Sequence, residues 1–157
     1  MRSSVRLLTA VGVVCLAVSA VRPAHAQIQY GPYLNFASNG VGVGIGGRVQ
    51  AGLTGLIPTA KNVGAIGALN LYFPTGGTAW GIDLNGTYQF HIPAVKTVEP
   101  YVGGGLALIH GISRNGVGLN LLGGAKFPLG PLTPFGELRI ILIRSTSAFV
   151  VSGGVLF

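Results

Sequence analysis

From Trp80 to His91 the chain alternates strictly. Trp80, Ile82, Leu84, Gly86, Tyr88 and Phe90 fall on one face of an extended backbone, and Gly81, Asp83, Asn85, Thr87, Gln89 and His91 fall on the other. A period of two held over about eleven residues, with one apolar and one polar face, is the pattern and length of a strand that crosses a membrane. Segments at about 30–37, 41–53, 63–73, 79–91, 100–112, 117–127, 135–144 and 148–157 read the same way, which makes eight. In the second, Val41, Val43 and Ile45 oppose Gly42, Gly44 and Gly46, and Arg48 and Gln50 continue the glycine side. After Gln27 no apolar run reaches the length of a transmembrane helix, and apolar residues do not recur at three and four.

Proline gives an independent check, because it has no N–H to donate to a β-ladder. Pro58, Pro74, Pro93, Pro100, Pro128, Pro131 and Pro134 fall in or beside the expected connections, and Pro32 lies among the opening residues of the first strand. Ser38-Asn39-Gly40, Thr75-Gly76-Gly77-Thr78 and Arg114-Asn115-Gly116 supply hairpin residues that tolerate positive φ. Eight strands in series make an up-and-down antiparallel sheet. Left open in lipid, its two edges would carry unpaired backbone groups at several kcal/mol each, so the sheet is expected to close. The expected fold is all-β: a closed up-and-down antiparallel eight-stranded transmembrane β-barrel.

The residues ahead of these strands read differently. Arg2 and Arg6 form a basic start, Leu7 to Val21 is an apolar run of 15 residues, and Ala24-His25-Ala26 is a small-x-small cleavage signature. The run is shorter than the roughly 20 residues a spanning helix needs. Residues 1–26 are therefore expected to be a signal peptide cleaved after Ala26, with residues 27–157 forming the barrel domain. Removing the leader takes away Arg2, Arg6 and Arg22, lowers the net charge from +7 to +4, and removes Cys15, the one cysteine. Only 8% of residues are charged, against about 25% in ordinary soluble domains. The 49% hydrophobic content excludes intrinsic disorder, and the 27 glycines keep no three-residue period, which excludes collagen. No basic stripe for nucleic acid remains.

With an even number of strands, both chain ends are expected on the periplasmic side and the turns near 38–40, 75–78, 113–116 and 145–147 on the outside. Phe36, Phe73, Trp80 and Phe149 lie beside those turns, and Phe90, Tyr101, Phe127, Phe135 and Phe157 lie at the opposite strand ends. Two aromatic girdles flanking an aliphatic band are what two membrane interfaces select. In the last strand Phe149, Val151, Gly153, Val155 and Phe157 alternate with Val150, Ser152, Gly154 and Leu156. A terminal aromatic after such alternation, here Val155 and Phe157, resembles the C-terminal signal that assembly machinery reads. Together with Pro100-Tyr101-Val102-Gly103-Gly104-Gly105 and Pro134-Phe135-Gly136-Glu137-Leu138-Arg139, the chain resembles the small eight-stranded outer-membrane β-barrel family, similar to the OmpA barrel domain and OmpX. The resemblance implies an integral outer-membrane protein of a bacterial envelope, in contact with outer-membrane lipids. It also implies handling by periplasmic chaperones and the barrel-assembly machinery through the C-terminal strand, and no cofactor. Outer turns of three or four residues depart from relatives with long outer loops and argue against a loop-borne adhesin role.

Charges that cannot face lipid must face the lumen or the rims. Glu137 and Arg139 share a face on the seventh strand, and folding the hairpin about Gly130-Pro131 brings Lys126 near Glu137. The expectation is a luminal ion cluster of Lys126, Glu137 and Arg139, with Arg48 reaching across, and Asp83, Asn85 and Gln89 as further luminal polar groups. These groups are expected to fill and seal an interior just wide enough for side chains. The inward glycines Gly42, Gly44, Gly46, Gly103 and Gly105 leave a water-filled cavity or narrow conduit as the alternative. Gly42-Val43-Gly44-Ile45-Gly46-Gly47 matches a dinucleotide fingerprint formally, but strand alternation continues where that site needs a helix. His110 and Ser113 lie near the outer rim on opposite strand faces, without a carboxylate to orient the imidazole. His91 is the only other histidine of the mature chain, which leaves no metal-ligand spacing. The expected role is structural or envelope interaction without catalysis. A narrow, porin-like channel or a small-ligand or lipid-binding barrel is the alternative, and a lipid-modifying enzyme ranks third.

Overall fold

The computed structural model describes residues 28–55, 57, 59–92, 97–111, 115–144 and 146–157. The expected leader and its cleavage point after Ala26 lie outside the described residues, as do Pro58, Pro93, Ser113 and Arg114. Eight strands follow in chain order: β1 (Ile28–Ala37), β2 (Gly42–Gly52), β3 (Val63–Phe73), β4 (Ala79–Gln89), β5 (Glu99–His110), β6 (Gly116–Lys126), β7 (Thr133–Ile143) and β8 (Thr146–Leu156). Each pairs antiparallel with the next, and β8 returns to β1, which closes the barrel. The one helical element among the described residues is a 3-10 turn at Leu53–Gly55.

The seam between β1 and β8 follows from Pro32. The ladder runs from Tyr33 opposite Gly154 to Ala37 opposite Val150, breaks at the proline, and resumes in the same register where Tyr30 and Phe157 exchange backbone bonds of 3.2 and 2.9 Å. At the first hairpin Asn39 and Gly40 both have positive φ (59° and 79°), and the Val41 N–H reaches the Ser38 carbonyl at 3.4 Å. That is the primed turn whose twist matches the strands it joins. β7 and β8 begin two residues earlier than expected, and only residues 144 and 145 separate them.

Burial alternates along every strand, so the period of two becomes a wall with two sides. Outside, Leu34, Ile45, Leu69, Leu84, Leu106, Leu119, Leu138 and Val151, one from each strand, remain exposed around the circumference. A continuous apolar belt of this kind has no counterpart on a soluble monomer and is a lipid-facing surface. Phe36, Phe73, Trp80 and Phe149 are exposed at the end carrying the tight turns, and Tyr30, Tyr88, Phe90, Phe127 and Phe157 at the end carrying the chain termini. Tyr101 and Phe135 depart from the expected girdle. Both point inward, at 3% and 5% exposure, because they share strand parity with Gly103 and Glu137.

The connections are unequal. Those at the turn end span residues 38–41, 74–78, 111–115 and 144–145, and those at the termini end span 53–62, 90–98 and 127–132. From the longer segments, Thr54, Lys61, Asn62, Pro128, Gly130 and Pro131 line the mouth at the termini end.

Candidate functional site

The inward-facing residues are stacked in tiers along the barrel axis. Nearest the tight turns, Ala107, Ile141, Ala148 and Val150 form an apolar plug, backed by Ala37, Ile109 and Ile143. Small and β-branched side chains suit this end, where eight strands converge on a bore only side-chain wide.

Below the plug lies a polar tier centred on Asp83. Its carboxylate accepts hydrogen bonds from Arg139 Nη1, from Asn70 Nδ2 at 2.6 Å and from Asn120 Nδ2 at 3.0 Å. Asn120 also donates to Asn85 Oδ1 at 3.0 Å. Asn70 Oδ1 in turn accepts from the Tyr33 hydroxyl at 2.6 Å and from Asn35 at 2.9 Å, and Asn35 Oδ1 accepts from Ser152 at 2.6 Å. A second tier is centred on Glu137, whose Oε2 accepts from Arg48 Nη1 at 2.9 Å and from the Tyr101 hydroxyl at 2.8 Å. Arg48 donates onward to Gln50 at 2.9 Å, Gln50 to Gln29 at 2.7 Å, and Gln29 to Thr133 at 3.2 Å. The Arg48 guanidinium lies 4.5 Å from the Phe135 ring centroid and 5.4 Å from that of Tyr101. The two tiers draw side chains from all eight strands. Charges this deeply buried persist only when paired, and each has its counter-ion here, while Arg48 Nε and Arg139 Nε and Nη2 find no hydrogen-bond partner among the described residues.

The third ionic contact is at the rim. Lys126 meets Glu99 at 3.3 Å and donates to Gln89 at 2.7 Å, with Glu99 about one-third exposed. Lys126 was expected beside Glu137. The register places it opposite Phe135 on β7 and directly opposite Glu99 on β5, so the facing carboxylate wins over the diagonal one. Arg48 is accordingly the partner of Glu137, and Asp83 the partner of Arg139.

Aromatic rings cover three of the inward glycines. Tyr33 stands directly opposite Gly46, Tyr72 opposite Gly44 and Tyr101 opposite Gly124. In each pair the ring lies across the partner strand: a Cβ on Gly44 would come within 2.7 Å of Tyr72 Cδ1, and one on Gly124 within 2.7 Å of the Tyr101 hydroxyl. A glycine opposite a large aromatic lets the ring lie flat against the wall and fill a narrow bore. Gly103 and Gly105 are crowded by Leu122 with Thr87 and by Asn85. The rings over Gly44 and Gly46 occupy part of the space that the alternative of a water-filled conduit would use.

Open space lies instead at the termini end, where a vestibule of about 440 Å³ is floored by Arg48, Gln50 and Tyr101 and walled in part by Lys61, Gln89, Glu99 and Lys126. His110 faces outward at the opposite rim, its ring 5.1 Å from that of Trp80, while Ser113 lies outside the described residues. Among the described residues no group of three or more His, Cys, Asp or Glu side chains could hold a metal ion. Sequence reasoning did not single out Asn35, Asn70, Asn120 or Ser152 as members of the polar tiers. Their inward parity was readable, but which of them meet across the bore was not.

Neither a family model nor a curated relative matches the sequence. Solved structures do. The N-terminal β-barrel domain of Pseudomonas aeruginosa OprF is 16% identical over 85% of this chain and 98% of its own, with a TM-score of 0.60. Neisserial surface protein A is 19% identical over 82% and 94%, with a TM-score of 0.57. The outer-membrane enzyme PagL is 9% identical over 82% and 98%, with a TM-score of 0.54. The chain thus has the fold of the small eight-stranded outer-membrane barrels.

Proposed function

We propose that the chain is an integral protein of the bacterial outer membrane, exported by a leader cleaved after Ala26, whose sealed barrel acts as a structural or interaction element of the envelope. The observation that carries this reading is the lumen: an apolar plug and two hydrogen-bonded tiers occupy it between the vestibule and the turn end. In this orientation the termini and the vestibule face the periplasm and the tight turns face outward. Val155 and Phe157, outward-facing at the end of β8, are the residues through which the assembly machinery engages the strand. Absence of catalysis is supported by His110, which stacks on Trp80 at the outer wall while all three carboxylates are committed to ion pairs elsewhere.

Heat-modifiable migration of membrane-extracted protein tests the barrel, and planar-bilayer recording tests the seal. A folded, faster-migrating form without single-channel steps is expected. Reproducible conductance steps would replace this reading with a narrow channel. The vestibule is the one feature that favours a small-ligand barrel. Saturable binding of a small polar molecule, lost in a Gln50→Leu variant that still migrates as a folded barrel, would establish that second reading.

A further inference from the structure

The vestibule at the termini end has spent its hydrogen-bond acceptors and kept its donors. Each of its glutamine oxygens is already engaged: Gln29 Oε1 accepts from Gln50, Gln50 Oε1 from Arg48 and Gln89 Oε1 from Lys126. The Gln89 amide nitrogen and the Thr87 hydroxyl border the cavity with no side-chain partner among the described residues, and Arg48 Nε in the floor has none either. Charge points the same way. Arg48, Lys61 and Lys126 line the cavity against Glu99, and adding Glu137, the partner of Arg48, still sets three cations against two carboxylates. The surplus falls at Lys61, which precedes β3 at the mouth. All three carboxylates of the chain are taken, by Arg48, Lys126 and Arg139, so Lys61 has no acidic side chain to pair with. Walls with spare donors and one spare cation are complementary to a molecule rich in oxygen acceptors that carries one negative charge. The volume of about 440 Å³ lies within the roughly 300–1,000 Å³ of small-ligand sites.

We propose that the vestibule binds a small hydroxylated carboxylate of monosaccharide size from the periplasmic side, with the carboxylate on Lys61 and hydroxyls on Gln50, Thr87 and Gln89. The inference rests on the small-ligand reading and the orientation given above, and it names the ligand class. The test follows backbone amide resonances of the folded full barrel in detergent micelles during titration with galacturonate, galactose and galactosamine. These probes share a pyranose ring and carry a negative, no and a positive charge. Saturable shifts at Gln50, Lys61, Thr87 and Gln89 are expected with galacturonate, and about tenfold weaker binding with the other two. Lys61→Gln should weaken galacturonate about fivefold and leave galactose unchanged. Thr87→Val, which deletes a hydroxyl at constant volume, should weaken galacturonate by a similar factor. Equal affinity for galactose or galactosamine, undiminished galacturonate binding in Lys61→Gln, or shifts confined to the turn end would overturn the proposal. Equal binding of galactose that is lost in Gln50→Leu would uphold the small-ligand reading and remove the anion site alone. Each variant is also checked for heat-modifiable migration, and a parent without it would remove the underlying barrel reading.

Discussion

Replacing Glu137 with alanine separates the ionic tier from the rest of the barrel's stability. The substitution removes the acceptor of two buried hydrogen bonds, from Arg48 at 2.9 Å and from Tyr101 at 2.8 Å, and leaves Arg48, at 4% exposure, without its counter-charge. Breaking a buried pair by deleting one partner costs about 3–5 kcal/mol, most of it the stranded charge. Two features place this case near the lower bound. Arg48 keeps the Gln50 hydrogen bond and its position over the Phe135 ring, and it borders the vestibule, from which water can enter the space left by the carboxylate. The expected loss is about 3 kcal/mol. It can be read as a shift in the urea midpoint of the barrel in lipid vesicles, at constant slope, from the fluorescence of Trp80, the single tryptophan, on the lipid-facing wall. An Arg48→Met, Glu137→Leu double variant should recover most of the loss, because an apolar pair of similar volume strands nothing. A Glu137→Ala midpoint equal to that of the parent, or a double variant no more stable than Glu137→Ala, would refute the assignment of stability to this pair.

Three further outcomes follow from the same geometry. Glu99→Gln, which removes the rim partner of Lys126, should cost less than about 1 kcal/mol in the same titration, because Glu99 is solvent-screened. Gly46→Ala should cost about 1–3 kcal/mol, since its Cβ would meet the Tyr33 ring, which Asn70 holds through the hydroxyl; a neutral result would show that the ring is free to swing. Phe157→Ala should lower the stability of refolded protein by about 1 kcal/mol, because about half of the ring leaves water for the membrane interface on folding. In cells the same variant should lower the folded fraction recovered from the outer membrane, and unaltered recovery would count against its role as an assembly signal.

What was legible in the sequence was whatever the wall imposes locally. Lipid outside and side chains inside enforce the period of two in each strand, so the strands could be placed from alternation, proline and turn residues, and Lys126, Glu137, Arg139, Arg48, Asp83, Asn85 and Gln89 all have inward parity. Pairing across the bore was not legible. Arg48 and Glu137 are 89 residues apart on strands that are not neighbours, and their meeting depends on strand tilt and stagger, which no single strand encodes. Nearest-hairpin reasoning therefore matched Glu137 with Lys126, where the barrel matches it with Arg48. Tyr101 and Phe135 show a different failure: parity with Gly103 and Glu137 marked them as inward, but their position at strand ends favoured the girdle. An aromatic facing glycine on the neighbouring strand was the available signal for an inward ring.

The order of the tiers carries the proposed seal. A bore lined by paired charges alone could admit water when one side chain moves, and an apolar plug alone would leave nothing to fix the stagger of eight strands. Here each buried carboxylate draws on several strands at once: Asp83 on β4 binds groups from β3, β6 and β7, and Glu137 on β7 binds groups from β2 and β5. A slip of one residue in any of these strands would turn its polar contributor toward lipid, where a cation at mid-depth costs about 2–4 kcal/mol, and its leucines toward the lumen. The tiers therefore act as a register lock as well as a seal.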